Sequence, residues 1–259
     1  WSFLKDTKEI PATFPTDWEM INVPHTWNNI DGMDGGSDYF RGTCNYAKVI
    51  KKSDLPEADC YYLEINGTAS SADVYVNGNK MAHHDGGFST WRVNITEELT
   101  DETLIVIAVD NAANDTVYPQ VADFTFYGGM YRDINIIAVA ESHFDLDYYG
   151  GKGVAITPNV QGEDAVVRMQ AYVANKKESQ SVHFLIKDTE GNVVAETNKS
   201  EKANDAKNLS SNISLVDLEQ DIRGVHLWHG RKDPYLYTAV AELVEDGKVI
   251  DIVETRFGC

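Results

Sequence analysis

The sequence predicts an all-β chain made of two consecutive β-sandwiches. Three observations predict it. Short runs of alternating or continuous apolar residues recur along the 259 residues, and Gly, Asn or Asp turns close them. No segment holds a 3.6-residue apolar period over three turns, so nothing reads as a long amphipathic helix. The length is generous for one all-β domain and comfortable for two. Residues 1–140 are assigned to the first sandwich, of jelly-roll type, and 141–259 to the second, which is immunoglobulin-like. The join near 139–143 has no Gly/Ser- or Pro-rich linker, so a strand is expected to pass directly from one to the other.

In the first block, residues 60–65 (Cys-Tyr-Tyr-Leu-Glu-Ile) and 72–76 read as strands, the second closed by Asn77-Gly78. That pair after alternating apolar residues signals a hairpin, because both residues tolerate positive φ. Residues 104–109 (Leu-Ile-Val-Ile-Ala-Val) form a near-continuous apolar run, whose length and β-branching favour a buried strand. In the second block, strands are expected at 165–174, 181–188, 193–197, 212–218, 236–243 and 249–255. Val182, Phe184 and Ile186 alternate as a one-face-buried strand requires. Glu190-Gly191-Asn192 and Glu245-Asp246-Gly247-Lys248 read as hairpin turns, and the polar run 199–212 as a solvated loop.

The net charge of −19 argues against nucleic acid or an anionic membrane as partner, since both need clustered Lys and Arg. No apolar stretch approaches ~18 residues, so no membrane span is predicted. No signal peptide is visible; a cytoplasmic location is favoured, with a periplasmic or secreted one if a leader was removed. The chain opens abruptly inside an aromatic-apolar pattern, which is compatible with a removed leader. Cys44, Cys60 and Cys259 make an odd count without CxxC or metal-type spacing. Free thiols are therefore preferred, with a Cys44–Cys60 bridge left open because sequence does not give the distance. The histidines read as structural: His25 is expected to bond backbone beside Pro24, His83 and His84 precede a Gly-Gly turn, and His226 and His229 flank Trp228. No pair has metal-ligand spacing with a third partner, so no zinc site is expected. Glu97-Glu98 and Asp101-Glu102 lie in a polar connection and read as surface pairs.

The stretch from Asp123 to Asp133 (Asp-Phe-Thr-Phe-Tyr-Gly-Gly-Met-Tyr-Arg-Asp) sets a carboxylate and aromatics before a Gly-Gly turn that feeds an apolar run at 134–139. Polar and aromatic groups at the end of a rigid strand are the pattern of a functional loop. Three further motifs precede it: Val23-Pro24-His25-Thr26-Trp27-Asn28; Asp34-Gly35-Gly36-Ser37-Asp38-Tyr39-Phe40-Arg41-Gly42; and Val74-Tyr75-Val76-Asn77-Gly78 with His84-Asp85-Gly86-Gly87-Phe88 and Val93-Asn94-Ile95-Thr96. Leu227-Trp228, Pro234-Tyr235-Leu236-Tyr237 and Arg256-Phe257-Gly258 follow. In this order the set resembles the front of glycoside hydrolase family 2, the β-galactosidase and β-glucuronidase family. The departures are Phe88 where Tyr is usual, Asn94 where Asp is usual, and Cys259 where Ile or Phe is usual.

The resemblance implies a galactose-binding-like jelly roll, then an immunoglobulin-like domain, then a (β/α)8 barrel beyond Cys259. Retaining glycosidases use two carboxyl groups about 5–5.5 Å apart; in this family both are glutamates on the barrel, so no catalytic residue is assigned here. What the resemblance assigns is sugar contact: Asp123 to a hydroxyl of the non-reducing-end sugar, and Asn28 or Asp34 (with Asp31 in the same loop) to a second contact. Tyr39 and Arg41 are expected to hold that loop, with Arg41 forking onto a carboxylate. No cofactor is expected in this chain, with sodium or magnesium possible in the full enzyme. The implied partners are a β-galactoside or related glycan, the catalytic barrel of the same polypeptide and further copies in a homo-oligomer. The leading expectation is the non-catalytic front of a retaining β-galactosidase, because the 34–42 loop resembles the form common among β-galactosidases; β-glucuronidase and β-mannosidase parents fit the resemblance as well. Two other readings stand beside it: a free-standing carbohydrate-binding or adhesion protein, and a purely structural pair of domains that buttresses a barrel.

Overall fold

Alternation in the sequence becomes burial in a computed structural model, which describes residues 1–29, 40–118, 126–197 and 210–259. The chain is all-β and divides into Trp1–Ala138 and Val139–Cys259. The division falls inside a strand, so the first unit passes into the second without a linker.

The first unit contains β1 (Ser2–Leu4), β2 (Glu19–Met20), β3 (Thr43–Lys51), β4 (Cys60–Ile65), β5 (Ser71–Val76), β6 (Asn79–Asp85), β7 (Trp91–Asn94), β8 (Glu102–Asp110) and β9 (Ile134–Val139). They form a six-stranded sheet in the order β2-β1-β3-β8-β5-β6 and a three-stranded sheet in the order β7-β4-β9. One apolar cluster joins the two sheets as a sandwich: Tyr46, Val74, Ile105 and Ile107 come from the larger and Leu63, Ile65 and Val93 from the smaller. β8 is apolar on both faces for a physical reason. Ile105, Ile107 and Val109 face that cluster, while Leu104 and Val106 pack under Ile10, Phe14 and Trp18 of the N-terminal segment. The Asn77-Gly78 turn joins β5 and β6 with φ of 51° and 86°, as a two-residue hairpin needs.

The second unit contains β10 (His143–Phe144), β11 (Val154–Gln161), β12 (Asp164–Ala174), β13 (Ser181–Lys187), β14 (Val193–Thr197), β15 (Ile213–Ile222), β16 (Tyr237–Glu245) and β17 (Lys248–Phe257). β12 pairs with β10, β11 and β15 in one sheet; the other runs β14-β13-β16-β17. Val167, Met169 and Val216 of the first sheet meet Phe184, Ile186, Ala241 and Leu243 of the second in a single core. Asp246 and Gly247 turn β16 into β17 at φ of 50° and 75°.

Several strands lack the signal that would announce them. β3 buries Cys44, Asn45, Tyr46 and Ala47 in succession, which hides its period. β11 carries Pro158 and pairs only with β12, an edge position that tolerates proline. β6 (Asn-Lys-Met-Ala-His-His-Asp) is a polar edge strand. β15 runs to Ile222, past the expected end at residue 218, because it pairs with the whole of β12. Cys44, Cys60 and Cys259 form no disulfide, and burial pushes the Cys44 thiol up to about 12. Residues 198–209, most of the expected solvated loop, lie outside the described residues.

Phe184 is fully buried between the sheets of the second unit. Phe184→Ala is expected to cost about 3–5 kcal/mol in urea unfolding. A loss below about 1 kcal/mol would contradict the enclosed core described here.

Candidate functional site

Motifs about a hundred residues apart in the chain meet at one end of the first unit. The His25 backbone N–H donates to the Met130 carbonyl at 2.7 Å, and the Thr26 hydroxyl donates to the Gly128 carbonyl at 2.7 Å. The Gly128 N–H donates in turn to Asn28 Oδ1 at 2.7 Å. Ala69 and Gly129 exchange backbone bonds at 3.1 and 3.3 Å, which brings the loop after β4 to the same place. Both glycines are obligatory. A Cβ on Gly128 would lie 2.1 Å from Trp27 Cζ2, and one on Gly129 (φ 132°) would lie 2.4 Å from the His25 carbonyl.

Asn28 is buried inside this clamp. Its Oδ1 accepts from Gly128 and from Asn111 Nδ2 (3.2 Å), and its Nδ2 donates to the Phe40 carbonyl at 3.0 Å. Asn111 extends the network: its Nδ2 also donates to the Phe40 carbonyl, its Oδ1 accepts from the Gly42 N–H at 3.0 Å, and its carbonyl accepts from Arg41 Nε at 2.9 Å. The ends of three loops, at residues 28, 40–42 and 111, are thereby tied to the Gly-Gly turn. Buried amides with satisfied donors and acceptors stabilise one arrangement of such loops over its alternatives. The His25 ring bonds the Tyr46 hydroxyl at 2.8 Å, so the expected backbone partner belongs to its main-chain N–H rather than its ring. Burial lowers the His25 pKa and raises that of Tyr46.

A polar cleft of about 440 Å³ opens on the β5–β8 side, lined by residues that include Thr43, Ser71, Asp73, His83, Asp110 and Asn114. Asp85 organises the loop beside it. It accepts from Thr116 Oγ1 (2.6 Å), Ser71 Oγ (2.7 Å) and Asn114 Nδ2 (3.2 Å). Those bonds, the Thr116 hydroxyl first, hold its carboxyl well below the usual range. His83 lies 2.6 Å from Asp73 and 3.2 Å from Asp85, and the bond to Asp73 is the main cause of its raised pKa. Among the described residues, no group of three or more His, Cys, Asp and Glu is placed to hold a metal ion.

Of the residues expected to touch sugar, Asn28 lies at the centre of the clamp, while Asp34, Asp31 and Asp123 lie outside the described residues, as do Tyr39 and Phe124. Asn111 and Asp85 are the organising residues that sequence reasoning passed over. Asp85 stood inside a quoted motif, but its partners Thr116 and Asn114 are brought to it only by the fold.

The described chain is thus two β-sheet units, the first with a loop-bearing end fixed by buried amides. The comparisons make the class specific. Residues 39–144 match the model described as glycosyl hydrolase 2 galactose-binding domain-like, and residues 152–259 match that of glycosyl hydrolases family 2. The chain belongs to glycosyl hydrolases family 2. It is 28% identical to a β-glucuronidase of Bacteroides fragilis, covering 93% of this chain and 35% of the relative. It is 24% identical to β-galactosidase BoGH2A of Bacteroides ovatus, covering 96% of this chain and 29% of the relative. The crystal structure of a Bacteroides uniformis β-glucuronidase superposes with a TM-score of 0.86 at 28% identity, over 100% of this chain and 31% of that one. The chain thus spans about a third of the length of the relatives it matches.

Asn28→Ala leaves the Gly128 N–H and the Asn111 amide without their acceptor. It is expected to cost about 2–4 kcal/mol, since each buried group left unsatisfied costs ~1–3 kcal/mol; a change under ~0.5 kcal/mol in chemical denaturation would contradict the clamp. Asp85, with a depressed pKa, contributes stability above the unfolded carboxylate value near ~4 and loses it as pH falls below that. His83, with a raised pKa, contributes below its unfolded value near ~6.5 and loses it as pH rises through its folded value. The stability gap between the native chain and Asp85→Asn is therefore expected to be widest at about pH 5–6 and to shrink below about pH 4. Thermal melts showing a constant gap from about pH 3 to 6 would contradict this.

Proposed function

We propose that this chain is the sugar-recognising front region of a retaining β-glycosidase, acting on β-glucuronides in the first instance. The observation that carries the reading is the clamp itself. Motifs 23–28 and 128–133 and the loop that carries Ala69, which have no reason in the sequence to be near one another, are held together where the candidate sugar-binding loops begin and end. On this reading the catalytic glutamates belong to another part of a longer polypeptide, and the present residues bind and orient. Asp123 supplies a carboxylate that accepts short, charge-assisted bonds from sugar hydroxyls, and Asp34 offers a second contact from the 30–39 loop. Asn28, whose Oδ1 already accepts two protein donors, serves chiefly by fixing the ends of those loops. Relatives named β-glucuronidase support the glucuronide: the Bacteroides fragilis protein and the Bacteroides uniformis structure are each 28% identical to this chain, against 24% for BoGH2A. A β-galactoside is the second reading, favoured by the relative BoGH2A and by the 34–42 loop, which resembles the form common among β-galactosidases.

The test is Asp123→Ala in the longer polypeptide, assayed on p-nitrophenyl β-D-glucuronide and p-nitrophenyl β-D-galactoside. Loss of one charge-assisted bond of ~1.5–3 kcal/mol corresponds to a fall in kcat/KM of roughly 10- to 150-fold on the sugar that the enzyme takes. Unchanged kcat/KM would remove Asp123 from the site. Hydrolysis of neither substrate by the native enzyme would overturn the glycosidase reading for these two sugars.

A further inference from the structure

Phe88 is a large apolar side chain, 62% exposed, on a backbone that is unusually well held. Its carbonyl accepts from Arg132 Nη1 at 2.8 Å, and the Tyr131 hydroxyl donates to the carbonyl of the preceding Gly87. Gly86 adopts φ of 122°, and a Cβ on Gly87 would come within 2.8 Å of the Tyr118 hydroxyl, so the loop approaches Tyr118 as closely as glycine allows. On the other side, His84 stacks on Trp91 (4.9 Å, 14°) and its Nε2 bonds Ser89 Oγ at 3.0 Å. An exposed aromatic held this firmly is preorganised, because the ordering cost of binding is met in advance.

The rings form a stack, with the exposed Phe88 at one end. Phe88 stacks on Tyr118 at 4.8 Å and 25°, and Tyr118 on Phe126 at 6.2 Å and 30°. Tyr118 and Phe126 are the described residues on either side of segment 119–125, so the rings stand at both ends of the segment that carries Asp123. Polar groups accompany Phe88: Ser89, which follows it, is exposed, and so is Arg132, whose Nη1 bonds the Phe88 carbonyl. At this end Phe88 and Tyr127 are the exposed large apolar residues among those described. A stable protein interface buries about 800 Å² per partner, far more than two such side chains present. The exposed Phe88 ring at the end of this stack suits a partner ring that is apolar on its face and hydroxylated at its edge.

We propose that the Phe88–Tyr118–Phe126 stack is a ring-binding platform, which receives the apolar face of a second ring of the glycan beside the one held by the glycosidase site. The proposal rests on the glycosidase reading above for the identity of the glycan. The rings bind by stacking and dispersion and leave bond cleavage to the rest of the enzyme.

The test compares two substrates in the longer polypeptide: the p-nitrophenyl β-glycoside of the sugar that the native enzyme hydrolyses, and the matching glycosyl fluoride, which has no second ring. Phe88→Ala is expected to raise KM for the aryl glycoside roughly three- to tenfold with kcat unchanged, and to leave the fluoride within about twofold. Phe88→Tyr is expected to restore the aryl KM. Unchanged kinetics on both substrates would overturn the platform. So would an equal loss on both accompanied by a lower Tm, which would make Phe88 a contact with the remainder of the polypeptide. Should the native enzyme hydrolyse neither sugar, the glycosidase reading fails by itself. The platform is then decided by saturation-transfer NMR of the 259-residue chain with p-nitrophenyl β-D-galactoside. Transfer to the aryl ring that Phe88→Ala abolishes supports it, and transfer equal in both proteins, or none in either, overturns it.

Discussion

The contact on which the first unit's architecture turns is the seating of Gly128 on the Trp27 indole. No side chain fits there, since even a Cβ would lie 2.1 Å from the ring. Two glycines in succession let the chain bring its backbone against an aromatic face and expose N–H and C=O groups to partners. Those groups are then met one by one: by Asn28, by the Thr26 hydroxyl and by the backbone of Ala69. The cost of ordering the loops is offset by a buried network whose members satisfy each other, and such a network discriminates sharply against alternatives because each broken bond leaves a buried polar group unpaired.

From that clamp the rest of this end of the unit follows. β8 delivers Asn111 to the network, and the same loop continues to Asn114 and Thr116, which Asp85 holds from the end of the edge strand β6. β9 leaves the Gly-Gly turn and enters the small sheet, carrying Tyr131 and Arg132 toward the Phe88 loop as it starts. The sandwich core makes these attachments rigid, since Tyr46 is at once a core side chain and the hydroxyl partner of His25. Positional precision of this kind is what a recognition surface requires, and it does not itself supply bond-breaking chemistry.

Much of this was legible in the sequence, and the reason differs by feature. The strands with one clean face, such as Val182-Phe184-Ile186, and the Asn77-Gly78 hairpin were visible because period and turn chemistry are local properties. β3 was hidden because a strand buried in succession loses its alternation, and β11 because Pro158 at an edge mimics a loop. Motif order pointed to the family, and the 23–28 and 128–133 motifs meet at one end of the first unit. What the motifs could not reveal was their division of labour. Asn28 resembled a ligand group, yet its side chain faces protein partners; Asn111 resembled nothing in particular, yet it joins three loop ends. Long-range pairing across the fold carries that information, and a single sequence does not print it.

The most direct test of the central claim is a crystal structure of the longer polypeptide with an uncleaved glycoside bound. The account predicts the non-reducing-end sugar at the end of the first unit where residues 25–28 and 128–130 meet, within hydrogen-bonding reach of the 119–125 segment. A glycoside bound with that end of the sandwich turned to solvent would contradict it and leave the clamp a purely structural device.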